Sequence, residues 1–293
     1  MKFKIPDSKF KENFNEDTLL TYFFTSMAND IFFIGWDAGG MHGDANALCR
    51  LQLKSPATST DSLRVKNTSF FQFTRERSAE TLAQNISEKI IHGFGAHSET
   101  FNKEAKNVLA IDCPLSLPMH FSKLVSGNSL GTMPLNFNRQ IDNKLAYREC
   151  ETYIKEKLAL DRAPLSATFN TMMSLVLLVH RVFHILKTQR GISLNLMPYM
   201  GQDLKQGLNV IECYPKLLKT DINSAELKGY AQFAEFRDVN HTKTKSVHEA
   251  DAELCALFAA HEYSLGAKGF WITKDFKGNL GKEGWIYAPY RKR

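Results

Sequence analysis

Three apolar runs in this chain each end on an acid. Ile31-Phe32-Phe33-Ile34-Gly35-Trp36 runs into Asp37, Val108-Leu109-Ala110-Ile111 into Asp112, and Asn209-Val210-Ile211 into Glu212. Runs this short, stopped by Gly39-Gly40, Pro114 and Pro215, read as strands buried on both faces. In an open α/β sheet the carboxyl ends of parallel strands lie along one edge, where ligands bind. Acids placed there meet in space although far apart in the chain. Oxygen ligands drawn from several elements, with positions left for water and phosphate, are what a hard divalent cation takes.

Two more strands are expected at Ala45–Leu53 and Thr68–Phe73, separated by a Ser-, Thr- and Pro-rich loop over 55–61. Ser78 is placed to cap a helix in which Leu82, Ile86 and Ile90 recur at four-residue spacing, and Gly93 and Gly95 close it. Strand, strand, strand, helix, strand is the opening order of the RNase H-like fold. The expected class is therefore α/β: an RNase H-like mixed five-stranded sheet flanked by helices, with a helical insertion after the fourth strand. That insertion spans about 115–205 and carries helices at Asn143–Lys157 and Ala167–Gln189. Residues 1–30 form an N-terminal extension with a short helix near Leu19–Met27, and 31–293 form a single domain. Extended segments at Phe270–Ile272 and Trp285–Tyr287 close the chain.

The last major helix is expected from about Ser246 to His261. Helical spacing from Asp251 puts Val247, Leu254, Cys255 and Phe258 on its face, which makes Asp251 a carboxylate turned toward the sheet. Such a group is costly to bury unless it is paired or bound to metal. His248 lies one turn earlier, and Glu249 and Glu253 are expected to be solvated. Each acid also has a plainer reading: Asp37 and Asp112 as turn formers, Glu212 as the partner of a Lys or Arg, Asp251 as an ion pair with Arg148 or Lys245. The same choice applies to His42 and Asp44, for which a turn is the default.

Composition narrows the rest. With 43% hydrophobic and 23% charged residues in 293, a sizeable core is available. The polar N-terminus carries no secretory signal and the most apolar run, Met172–Val179, is too short for a bilayer, so a cytoplasmic protein without membrane contact is expected. Five scattered cysteines without a CxxC pair argue against a zinc ribbon. A net charge of +6 permits a polyanionic partner, with basic clusters at Lys2–Lys4, Lys9–Lys11, Lys243–Lys245 and Arg291–Arg293.

On its motifs the chain resembles the predicted RNase H-like nucleases, domain of unknown function 429. The resembling segments are Ile34-Gly35-Trp36-Asp37, Ile111-Asp112-Cys113-Pro114-Leu115-Ser116-Leu117-Pro118, Arg148-Glu149-Cys150-Glu151, Ile211-Glu212-Cys213-Tyr214-Pro215, His248 with Asp251-Ala252 and Cys255-Ala256, and Glu283-Gly284-Trp285-Ile286. They run from about residue 32 to 290. The resemblance implies an RNase H-like fold and a metal-dependent nuclease acting on DNA or RNA, with nucleic acid as partner. The acids it carries over as metal ligands are Asp37, Asp112 and Asp251. In that scheme two Mg²⁺ (or Mn²⁺) ions about 4 Å apart share Asp37, while Asp112 and Asp251 each complete one shell. Arg148 steadies phosphate charge and His248 relays a proton, and Glu212, a motif residue without an assigned step, is counted with them among the catalytic residues.

Two other classes stand beside it. An actin-like kinase or ATPase would use Asp37-Ala38-Gly39-Gly40 as a phosphate loop, but its second loop would need glycine where Asp112-Cys113-Pro114-Leu115 stands. A non-catalytic module binding nucleic acid or protein would use the insertion, with Met172-Met173 and Leu175–Val179 as a homodimer or partner surface; packing of that stripe on the sheet is the favoured alternative.

Overall fold

The computed structural model describes residues 31–54, 64–94, 103–127, 139–157, 160, 164, 166–168, 172–196, 204–215, 246–264 and 276–287. The expected helix near Leu19–Met27, the segment Phe270–Ile272 and the four basic clusters lie outside them.

Ile31–Ala38 (β1) is the centre of the structure. It pairs antiparallel with Asn46–Lys54 (β2) on one side and parallel with Lys106–Asp112 (β4) on the other. Arg64–Gln72 (β3) extends β2 antiparallel, and Gly207–Cys213 (β6) extends β4 in parallel. Along the chain three strands precede β4, as expected, and the sheet is mixed in direction. Among the described residues the sheet has seven strands, not five: Leu194–Leu196 (β5) and Ile286–Tyr287 (β7) divide the outer edge of β6, pairing with Leu208–Val210 and with Glu212–Cys213. A segment of three residues shows no alternation, which is why β5 went unmarked in the span expected to hold helices and loops; β7 lies within the extended segment expected at Trp285–Tyr287.

Because side chains alternate across a strand, the sheet feeds two cores. Phe33, Val108, Ala110, Ile211 and Cys213 face Glu149–Lys157 (α3) and Val247–Ser264 (α5). Ile34, Trp36, Leu109, Ile111 and Val210 face Ala79–His92 (α1) and Met172–Thr188 (α4). Leu175, Val176, Leu178 and Val179 pack in this second core, so most of the apolar stripe of the insertion covers the sheet. Among the described residues no helix is long and apolar enough to cross a membrane.

Helix and sheet come into close contact at Gly35. A Cβ there would sit 1.8 Å from the Ala252 carbonyl oxygen and 2.6 Å from the Ala256 nitrogen, so the backbone of α5 rests directly on β1. The sheet-facing stripe of α5 is thus Ala252, Cys255, Ala256 and Ala259, while Val247 is 69% exposed. Glu253, expected in solvent, is buried, because α5 is enclosed on more than its sheet-facing side. The helix opens on a capping box: the Glu249 amide donates to Ser246 Oγ at 3.1 Å and the Ser246 amide to Glu249 Oε2 at 3.0 Å.

A second anchor ties the insertion to the sheet. The wholly buried Arg148 donates from Nε to Glu151 Oε1 at 2.9 Å and from Nη1 to Glu212 Oε2 at 2.8 Å, and its Nη2 also reaches Glu212 Oε1. Glu212 Oε2 further accepts the Leu115 amide at 2.9 Å. Glu283, at the end of the short helix Leu280–Glu283 (α6), accepts the Met119 amide at 2.6 Å and the Glu149 amide at 2.7 Å. The Glu283 carboxylate thereby satisfies N-terminal donors of Met119–Val125 (α2) and α3.

Gly35→Val should cost more than about 3 kcal/mol in chemical denaturation, since the backbone of α5 has to move to admit it. Burial pushes the Glu151 carboxyl up from 4.5 to about 7 against the opposing pull of Arg148. The folded state then holds a proton that the unfolded chain has released, so this group's contribution to stability falls as pH rises from about 4.5 to 7. Glu151→Gln should remove that slope, read as the difference between wild-type and variant unfolding free energies across the window.

Candidate active site

β1 and β4 run parallel and in register, with Asp37 directly opposite Asp112. The alternation that puts Phe33 and Gly35 toward α5 also turns Asp37 that way, and Asp112 follows Val108 and Ala110 to the same face. The two carboxylates therefore stand side by side at the carboxyl edge of the sheet. Asp37 is only 7% exposed; burying Phe33, Ile34 and Trp36 in the same strand, at about 1.5–3 kcal/mol each, offsets holding a charge there.

The turn after Asp37 is built for tight passage. Trp36 Nε1 donates to Asn46 Oδ1 at 3.2 Å, and the Asn46 amide nitrogen donates to the Gly40 carbonyl. A Cβ on Gly39 would fall 2.1 Å from the Ala45 carbonyl oxygen, so only glycine lets the chain turn this closely. His42 and Asp44 lie in this turn: the His42 carbonyl accepts the Glu76 amide at 2.7 Å and the Asp44 carbonyl accepts Gln72 Nε2 at 3.0 Å.

His248, in the first turn of α5, reaches across to the strand. Its Nδ1 is 2.7 Å from Asp37 Oδ2, and the ring is about one-third exposed, so it connects the acid with solvent. Asp251 lies on the helical stripe between His248, three residues before it, and Cys255, four after. It does not line the cleft beside Asp37 and Asp112, and its Oδ1 is shut away from solvent. Beneath the acids, Cys213 and Cys255 are buried. Burial above all pushes both thiols up; they share a hydrogen bond, and the negative charges of Asp112 and Asp37 add to the shift. A thiolate nucleophile is disfavoured here.

Asp37 and Asp112 open into a cleft of about 270 Å³ that is also lined by Glu212 and, on its apolar side, by Pro114, Pro164, Met172, Leu175, Tyr214 and Ile286. Glu212 borders it as the partner of Arg148, and Arg148 itself is closed off from solvent. Of the six site residues named from the sequence, the structure thus joins Asp37, Asp112 and His248 in one cluster, and Glu212 and Arg148 in an adjoining ion pair. Among the described residues no three His, Cys, Asp or Glu side chains form a group able to hold a metal ion. Tyr214 was visible in the Glu-x-Tyr-Pro segment but had no assigned role. Its place in the cleft wall depends on where β6 ends beside β7.

No protein-family model and no curated protein matches the chain. Among solved structures it is similar to RuvC of Thermus thermophilus in complex with Holliday junction substrate, at 11% identity and a TM-score of 0.35, over 81% of this chain and 97% of that one. It is likewise similar to a second Thermus thermophilus RuvC structure, at 12% identity and a TM-score of 0.36, over 81% and 98%. Likeness at this level carries no weight for the chemistry. The architecture stands on its own strand order and directions, a mixed α/β sheet consistent with an RNase H-like fold.

Proposed function

We propose that this chain is a divalent-metal-dependent nuclease of RNase H-like fold, hydrolysing phosphodiester bonds of nucleic acid at the edge where β1 and β4 end. The observation that carries the reading is the in-register pairing of Asp37 with Asp112 on one face of the sheet, bordering an open cleft.

The donor set fits a Mg²⁺ or Mn²⁺ ion of the water-rich kind, which takes one or two carboxylates and completes its shell with water and substrate phosphate. Asp37 and Asp112 would hold it. Such an ion needs no preassembled cage of three carboxylates. Bound there, the metal supplies positive charge for the phosphate and lowers the pKa of water.

The chain's own residues do the rest. Asp37 and Asp112 concentrate negative charge where a cation is needed and repel a phosphate that arrives without one. His248 fixes the orientation of Asp37 through Oδ2 and, being partly exposed, offers a route for a proton between cleft and solvent. Asp251 adds charge from the helix side. Glu212 and Arg148 act by holding the wall: through the Leu115 amide they set the course of the chain leaving Asp112.

Cleavage of labelled single strands, duplexes, RNA–DNA hybrids and four-way junctions should depend on Mg²⁺ or Mn²⁺, and Asp37→Asn and Asp112→Asn should each lower it by about 100-fold or more. Equal activity in wild type and Asp37→Asn rejects the site. His248→Ala should lower the rate by about tenfold, the usual cost of removing a group that orients a metal ligand. An unchanged rate in that variant removes His248 from the mechanism.

A further inference from the structure

The cleft is lined by two unlike sets of side chains. One is acidic, Asp37, Asp112 and Glu212; the other is apolar, Pro114, Pro164, Met172, Leu175, Tyr214 and Ile286. Hydrolysis of a backbone phosphodiester needs only the first. An apolar wall with an aromatic ring, set directly against the acids, has no use for the sugar–phosphate backbone, which is charged throughout. It suits a flat apolar group carried on the same molecule, close to the phosphate.

Size limits what that group is. About 270 Å³ lies just under the range of pockets that enclose a whole small-molecule ligand, roughly 300–1,000 Å³. The space admits a group the size of one base and not the stacked, paired bases of a duplex. A base that stays paired presents its edge to a protein and keeps its faces within the stack; only an unpaired or extruded base offers a face to an aromatic side chain.

Tyr214 is placed to meet it. It follows directly on Cys213, the last residue of β6, borders the cleft and is half-buried against the core around α5. Glu212, two residues before it in β6, is paired with Arg148, which holds this end of the strand.

We infer that the apolar wall of the cleft receives one unpaired base, stacked on Tyr214, while the neighbouring phosphodiester lies over Asp37 and Asp112, so that the chain acts on single-stranded nucleic acid. This rests on the nuclease reading and names its substrate class. Stacking on one aromatic ring is sequence-tolerant, because every base has a π-face. The selection is therefore for strandedness and not for a sequence.

The test uses the full chain with Mn²⁺ and two labelled substrates of the same sequence, one single-stranded and one fully paired. kcat/KM is expected to be at least about tenfold higher for the single strand. Tyr214→Ala should raise KM for the single strand by about tenfold with kcat within about threefold, and Tyr214→Phe, which keeps the ring, should stay near wild type. Mn²⁺ binding, followed by electron paramagnetic resonance, should be the same in all three proteins. Equal cleavage of duplex and single strand overturns the inference, as does a Tyr214→Ala KM equal to wild type. If Tyr214→Ala does not fold, the wild-type comparison of the two substrates decides alone. Absence of cleavage on every substrate sinks the nuclease reading first, and this inference with it; cleavage without strand preference sinks the inference only.

Discussion

The backbone-to-backbone contact of α5 with β1 at Gly35 is what the rest of the molecule is arranged around. A helix resting on a strand through Ala252 and Ala256, with no side chain between, has its depth and rotation set to within a fraction of a turn. His248, one turn earlier on the same helix, is thereby delivered to Asp37 at 2.7 Å. A larger residue at either surface would lift the helix, and the contact between histidine and acid would be lost with it. Small residues at this crossing are therefore a condition of the site.

A second constraint comes from burying charge. Arg148 lies wholly inside the protein and has Glu151 and Glu212 on its guanidinium, with Glu283 serving nearby amides. A buried pair of this kind adds little net stability, because desolvation cancels much of the attraction, but it penalises any arrangement that leaves one partner alone. Here it joins five segments, of which only the first two are consecutive in the chain: the chain after β4, α2, the start of α3, the end of β6 and α6. The cleft wall beside Asp112 is made from the first and fourth of these. The position of the acids and the shape of the space before them are thus fixed by different interactions, one made by close packing and one by ion pairing.

Much of this was legible in the residues. The apolar runs ending in Asp37, Asp112 and Glu212 marked three strands, and all three proved to be central, parallel and flush at their carboxyl ends. Helix periodicity located α1, α4 and α5, although α3 begins at Glu149 and not at Asn143, and α4 at Met172 and not at Ala167. Two readings differed. Glu253 was expected in solvent because one polar residue on an amphipathic helix normally faces water; α5 is covered on several sides, a property of its neighbours. β5 went unseen because pairing alone makes so short a segment a strand, whereas β7 falls within the extended segment expected at Trp285–Tyr287.

What the sequence by itself determined is which segments alternate, which are apolar throughout, and where a carboxylate follows them, because those properties depend on neighbours within a few residues. It also determined the capping of α5 by Ser246 and Glu249, a local exchange of two hydrogen bonds. The tertiary structure alone decided which acids face one another. Asp37 and Asp112 share a face because two parallel strands pair in register. Glu212, alike in the linear pattern, takes the opposite parity along its strand and spends its charge on Arg148. Side-chain period is two and register is set by the whole sheet, so a single strand carries no record of which neighbour its last residue will meet.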